Sequence, residues 1–255
     1  MIELKNVYKD FATQSTTTPI KHVLKNINLK INDGDFIMII GSNGSGKSTL
    51  LNTIAGHFRP TSGEILFNNV EVTHLHENKR AKYIGRVFQD PTLGTISDIS
   101  IEENLALARK RGKKRTLSWA LKKDYIKEYE EILKPLNLGI EKNLHEPVSS
   151  LSGGQRQALT LIMATLQKPD ILLLDEHTAA LDPKTSKIIL KLTDEIVKKD
   201  NLTTLMITHN MKDALKFGNR LIMISDGKII FDACEEEKSK LTVEDLYKKF
   251  EEAEA

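Results

Sequence analysis

The chain has 255 residues, of which 28% are charged and 40% hydrophobic, with a net charge of +2. That balance is ordinary for a globular protein and gives no electrostatic case for nucleic acid or an anionic lipid surface. The single cysteine, Cys234, excludes an intrachain disulfide and suits a reducing compartment. No apolar run approaches the ~18 residues of a membrane span, and the first residues lack the apolar centre of a signal peptide, so the expected location is the cytosol.

In chain order, residues 2–11 and 22–31 read as two strands around the polar loop Thr13–Pro19; Ile27, Leu29 and Ile31 alternate with polar residues, as in a sheet with one wet face. Asn32-Asp33-Gly34 turns the chain into the apolar strand Phe36–Ile40. A helix over 48–55 follows, stopped by Gly56, and then a strand at Glu64–Phe67. Residues 83–88 form the next strand.

Residues 100–165 then read as mostly helical. Ser100-Ile-Glu-Glu103 is a capping box for the first helix, 116–133 carry a second and 154–167 a third. Strand patterns resume at 170–174 and 203–208, with a helix opened by Asp182-Pro183 between them. A short helix at 210–217, a hairpin over 221–231, a solvated stretch at 235–238 and a last amphipathic helix capped by Thr242 complete the pattern. The expected fold is α/β. A nucleotide-binding core with a parallel sheet and an N-terminal antiparallel β subdomain (1–90 and 160–255) is interrupted by a helical subdomain (91–159).

Between the strand 36–40 and its helix lies Gly41-Ser42-Asn43-Gly44-Ser45-Gly46-Lys47-Ser48-Thr49, which fits G-x-x-x-x-G-K-[ST] in the strand–loop–helix context of a phosphate-binding P-loop. Glycines let successive backbone N–H groups face phosphate oxygens, and the helix N-terminus adds partial positive charge. Lys47 suits the β- and γ-phosphates, and the Ser48 hydroxyl suits Mg²⁺.

Ile171-Leu-Leu-Leu-Asp175-Glu176 is an apolar strand ending in two carboxylates, where α/β sheets bind ligands. One reading makes Asp175 a Mg²⁺ ligand and Glu176 the general base toward water; the other makes both turn residues. Leu151-Ser152-Gly153-Gly154-Gln155 opens the third helix of the helical block, either as a second anion site or as a plain capped helix start.

These stretches, with Gln89, Ala180-Leu181-Asp182 and His209, occur in the order and spacing of the ATP-binding cassette (ABC) ATPases, and the chain resembles that family over essentially its whole length. The Leu-Ser-Gly-Gly-Gln stretch is the specific part. The resemblance implies a head-to-tail homodimer sandwiching two ATP molecules. Gly41 to Thr49 of one copy hold the phosphates and Mg²⁺, while Ser152, Gly153, Gly154 and Gln155 of the other close on the γ-phosphate. It further implies that Gln89 reaches Mg²⁺ and the attacking water, that Asp182 crosses the dimer interface, and that His209 contacts the γ-phosphate. Phe11 resembles the aromatic that stacks on adenine, although Tyr8 is close and a core aromatic reads equally well.

Where the family most often has proline after the acidic pair, this chain has His177, which either tunes Glu176 electrostatically or fills the turn. Arg109–Arg115 carries six basic residues in seven positions, open to two readings: contact with lipid headgroups or an acidic partner, or a solvated helix end.

By resemblance, the chain is the ATPase subunit of a bacterial transporter. It would be held on the inner face of the membrane through a separate permease, which Asp90–Ile96 would contact. It looks like the importer subgroup that also uses a substrate-binding lipoprotein, with a small nutrient such as an amino acid as cargo. An exporter ATPase is the alternative. A soluble ABC protein acting outside transport is a further one, disfavoured because the chain has one cassette and no room for a coiled coil between Gln155 and Asp175.

Overall fold

A computed structural model covers the chain, and residues 1–13, 19–113 and 123–254 are described. They form two compact units, Met1–Arg80 with Asn201–Ala255, and Ala81–Asp200.

The first unit opens with β1 (Ile2–Ala12) and β2 (Ile20–Ile31), paired antiparallel. Ile27, Leu29 and Ile31 are buried at period two, whereas Leu4 and Val7, and Leu24 and Ile27, are buried at a spacing of three, where the pairing shifts register and Asn6 and Asn26 take φ 47° and 55°. β3 (Phe36–Gly41) is apolar on both faces and buried through Ile40. The P-loop leads into α1 (Lys47–Ala55), which ends on Gly56 in the left-handed conformation, its N–H donating back to Asn52 and Thr53. β4 (Ser62–Phe67) and β5 (Val70–Glu71) complete an antiparallel sheet in the order β2-β1-β4-β5.

The short α2 (Glu77–Arg80) closes this part of the unit. Its Arg80 is fully buried, and among the described residues no carboxylate pairs with it. Instead the guanidinium donates to five backbone carbonyls: Thr53 and Ile54 in the last turn of α1, and Val72, Thr73 and Leu75. Burial lowers its pKa to about 10, so it stays charged at neutral pH and sits at the negative end of the α1 dipole.

The second unit begins with β6 (Ile84–Val87), which pairs in parallel with the later β7 (Ile171–Asp175). A 3₁₀ turn at Pro91–Gly94, capped by Asp90, leads to α3 (Ile101–Arg109). The capping box of Ser100 and Glu103 is formed in both directions, at 3.2 and 2.7 Å. α4 is described over Lys123–Leu133; the remainder of the helix expected from 116 lies outside the described residues. Three 3₁₀ turns between 134 and 150 separate α4 from α5 (Gly153–Thr165), where the sequence reads as more continuous helix. Ile101, Leu105, Tyr129, Leu133, Leu159 and Ile189 are among the core of this unit. α6 (Pro183–Asp200) completes it.

Within the basic run Lys113 is exposed, whereas two arginines do not point freely into solvent. Arg109 turns inward to Glu128 and lies 4.2 Å from the Tyr125 ring, and Arg111 donates to the Ala164 carbonyl at 2.8 Å. Lys114 and Arg115 lie outside the described residues.

The chain returns to the first unit with β8 (Thr204–Ile207), α7 (Met211–Lys216), β9 (Arg220–Ser225) and β10 (Lys228–Ala233). β3 lies between β8 and β9, parallel to both, and β10 pairs antiparallel with β9. The stretch 235–238, expected to be solvated, is a helical turn, α8 (Glu235–Lys238). Its three glutamates are exposed. Lys238 is buried and donates to the Phe217 and Gly218 carbonyls just past α7. α9 (Val243–Glu254) starts on the Thr242 cap and buries Leu246, while Tyr247 stays exposed.

Candidate nucleotide site

In the first unit the P-loop forms a cradle. Gly46 takes φ 107°, and a Cβ there would lie 2.8 Å from the Val23 carbonyl, so glycine is required by both backbone angle and space. The loop is buttressed from β2 and from the β9–β10 turn: Gly227 N–H donates to Ser45 O at 2.9 Å, and Lys25 N–H donates to Gly227 O at 2.8 Å. Lys25 also pairs with Asp226 at 2.6 Å. No sequence motif points to this brace, because its members are some 180 residues apart in the chain.

Inside the cradle the Lys47 ammonium donates to the carbonyls of Gly41 and Ser42, each at 2.8 Å, and its side chain is buried. The Ser45 hydroxyl is buried with no hydrogen-bond partner. A glycine cradle, a lysine and an unsatisfied hydroxyl fit a phosphate group.

Beside the loop, β3 and β8 pair Ile39 with Ile207, and His209 follows that last pair by two residues as Gly41 does on β3. Thr208 N–H donates to Ile39 O, and Asn210 caps α7 through Lys212 and Asp213 N–H. His209 is therefore an exposed imidazole held between a strand end and a helix cap, next to the cradle. Phe11 is half-buried near the end of β1, in edge contact with Phe58 at 5.1 Å and with Lys9 Nζ 4.7 Å from its ring. Phe58 and Lys9 were not legible as its neighbours in the sequence.

In the second unit, β6 and β7 pair Val87 with Leu174. Gln89 follows the last residue of β6 by two positions, and Glu176 directly follows Asp175, the last residue of β7. The structure thus brings together an amide and two carboxylates at the C-terminal edge of two parallel strands. Glu176 has φ 46°, a left-handed conformation that non-glycine residues adopt at a cost of about 1 kcal/mol or more. Among the described residues no group of three or more His, Cys, Asp or Glu could cage a metal. Within this unit Gln89 and Asp175 offer hard oxygens of the kind Mg²⁺ takes.

His177 is buried. Thr193 Oγ1 donates to the Ile189 carbonyl at 2.8 Å, so its oxygen accepts from His177 Nε2–H at 3.1 Å. Nδ1 then carries the lone pair and has no partner. Burial pushes the imidazole pKa down to about 4, which keeps it neutral near pH 7. His177 therefore neither carries charge to Glu176 nor merely fills a turn; it ties that turn to α6.

At the start of α5, Ser152 Oγ accepts from Gln155 N–H at 3.3 Å, and Gln155 Oε1 accepts from Ser152 N–H at 2.9 Å. The helix is capped, and the Ser152 hydroxyl hydrogen remains available to a ligand. Gly153 is exposed and Gly154 buried. A Cβ on Gly154 would lie 2.2 Å from Thr185 Cγ2, so this glycine lets α5 approach α6. Asp182 caps α6 by accepting from Lys184 and Thr185 N–H, each at 3.1 Å; the Thr185 side chain first, and then these N–H groups, hold its carboxyl below the usual range.

Residues 24–179, which include the P-loop, the Ser152–Gln155 turn and the acidic strand, match the family described as ABC transporter. The chain belongs to that family. The ABC ATPase is 47% identical over 251 residues to the tyrosine transport ATP-binding protein of Clostridioides difficile, covering 98% of this chain and 99% of that one. It is 36% identical over 236 residues to the macrolide export ATP-binding/permease protein MacB of Campylobacter fetus, covering 91% of this chain but 34% of that protein. Its fold is similar to the dimeric structure of the ATP-binding cassette MJ0796 bound to ADP and Pi in a post-hydrolysis state, with a TM-score of 0.78 and 33% identity over 92% of this chain and 99% of that one. The chain is an ATP-binding subunit of an ABC transporter and an ATPase. Among the described residues no helix is long and apolar enough to cross a membrane.

Proposed function

We propose that this ATPase drives import of a small nutrient through a separate membrane permease, as a single ABC domain over 1–255 with a helical subdomain at 91–159. It would act as a head-to-tail homodimer at the inner face of the cell membrane, alongside a substrate-binding lipoprotein. The observation that carries the reading is the near-full-length likeness to a protein named for tyrosine transport. An amino acid is accordingly the proposed cargo class.

In this reading Lys47, Ser48 and the loop N–H groups hold the ATP phosphates, and Phe11 supports adenine. Glu176 takes a proton from the attacking water, with Gln89 orienting that water and His209 donating to the γ-phosphate. Mg²⁺, held by Ser48, Asp175 and Gln89, would offset charge on the phosphates. Ser152, Gly153, Gly154 and Gln155 of the second copy complete the site, and Asp182 lies at the copy–copy interface. The exposed Leu93 and Ile96, 68% and 51% accessible, support Asp90–Ile96 as the permease contact.

The likeness to MacB favours a second reading, an exporter ATPase. Purification of the tagged chain from native membranes, with identification of what accompanies it, separates the two. A permease together with a lipoprotein that binds tyrosine or a related amino acid supports import. A permease without a binding protein, whose loss leaves uptake unchanged, supports export.

A further inference from the structure

The segment carrying Gln89 and the helix carrying Ser152 are fastened together within the second unit. Gln157 Nε2 donates to Phe88 O at 3.4 Å. A Cβ on Gly94 would lie 2.8 Å from Thr160 Cγ2, so segment and helix touch there. The strongest ties come from Arg156, whose Nε donates to Thr95 Oγ1 and whose Nη2 donates to Ser97 Oγ, both at 2.7 Å. Thr95 Oγ1 donates in turn to Pro91 O at 3.2 Å, so its oxygen is oriented as the acceptor. Behind the segment, Asn104 brackets Ile96, accepting from its N–H at 2.8 Å and donating to its carbonyl at 3.0 Å.

Arg156 directly follows Gln155 and lies in the first turn of α5. A cation at a helix N-terminus opposes the macrodipole, at a cost of about 0.3–1 kcal/mol. Its placement therefore does not serve the helix. It serves the two hydroxyls on the segment, which also exposes the apolar Leu93 and Ile96.

We propose that Arg156 is a positioning residue that locks the turn at Ser152–Gln155 to the segment Gln89–Ser97, so that the segment sets the orientation in which Ser152 meets nucleotide. This rests on the shared-site dimer of the proposed function. A displacement of Leu93 and Ile96 by an apolar helix of the permease then reaches Ser152 through two charge-assisted hydrogen bonds rather than through the core.

The test uses the full chain with Glu176→Gln as parent, and reads ATP-dependent dimerisation by sedimentation velocity. Arg156→Gln and the pair Thr95→Val with Ser97→Ala should each weaken the dimer about tenfold, the scale of one to two charge-assisted bonds. Combining all three should weaken it no further, because the same bonds are already gone. Arg156→Lys should recover part of the loss. Binding of a fluorescent ATP analogue to dilute monomer should not change. If the hydroxyl pair dimerises like the parent, or if the losses add in the triple variant, Arg156 does not act through the segment and the proposal falls. A parent that fails to dimerise with ATP overturns the shared-site reading and the proposal with it.

Discussion

Gln89 and Glu176 each follow, by two residues in the chain, the paired Val87 and Leu174 near the C-terminal ends of two neighbouring parallel strands. In the proposed function the Gln89 amide orients water and the Glu176 carboxylate accepts its proton, both from just past the ends of this parallel pair. Glu176→Gln keeps the shape and removes the basic oxygen. Turnover should fall about 10²-fold or more, with ATP affinity retained. Hydrolysis within a few fold of the parent would remove Glu176 as the base.

Lys47 is buried and held by the carbonyls of Gly41 and Ser42. In the proposed function it supplies charge at the phosphates, so Lys47→Ala should weaken ATP binding at least about tenfold, as measured by titration of a fluorescent nucleotide. Unchanged affinity would contradict the P-loop reading.

Burial holds His177 neutral down to about pH 4, against 6.5 for an exposed imidazole. The unfolded chain therefore binds the proton first as pH drops. The native state loses stability between pH 6.5 and 4, and the group has no effect above that window. His177→Gln preserves a donor toward Thr193 and does not titrate. Its denaturant unfolding should lack that part of the acid loss, while its pH–rate profile above pH 6.5 keeps the shape of the parent. A profile that shifts in this range would show that His177 does tune Glu176.

Arg80 satisfies five carbonyls, two of them at the end of the P-loop helix. Arg80→Met removes this donor from all five, of which the Thr53 and Val72 carbonyls keep a backbone N–H from Gly56 and Leu75. A loss of about 3 kcal/mol or more is expected by equilibrium unfolding, with Arg80→Lys intermediate. A change below about 0.5 kcal/mol would mean that water replaces the guanidinium without cost.

The parts of the site that were legible in the sequence are those whose chemistry is local. Gly41–Thr49 is one loop, Ile171–Glu176 one strand end, and the Ser152–Gln155 box one helix turn. The capped starts at Ser100, Asp182 and Thr242 were legible for the same reason. What escaped was pairing between distant residues. Arg80 on the α1 carbonyls, Gly227 under Ser45 and Arg156 on Thr95 and Ser97 depend on how the chain returns to itself, which no short pattern encodes. Within charged stretches, where charge suggests solvent, Glu235, Glu236, Glu237 and Lys113 are exposed, but Arg111 and Lys238 find backbone carbonyls inside.

The central claim is that one ATP is completed by two copies of this chain. Specific ATPase activity measured against chain concentration, with the dimer fraction followed by sedimentation in the same samples, tests it most directly. Activity per chain should rise with concentration in step with the dimer and vanish where only monomer is present. Constant activity per chain in a strictly monomeric sample would contradict the shared site.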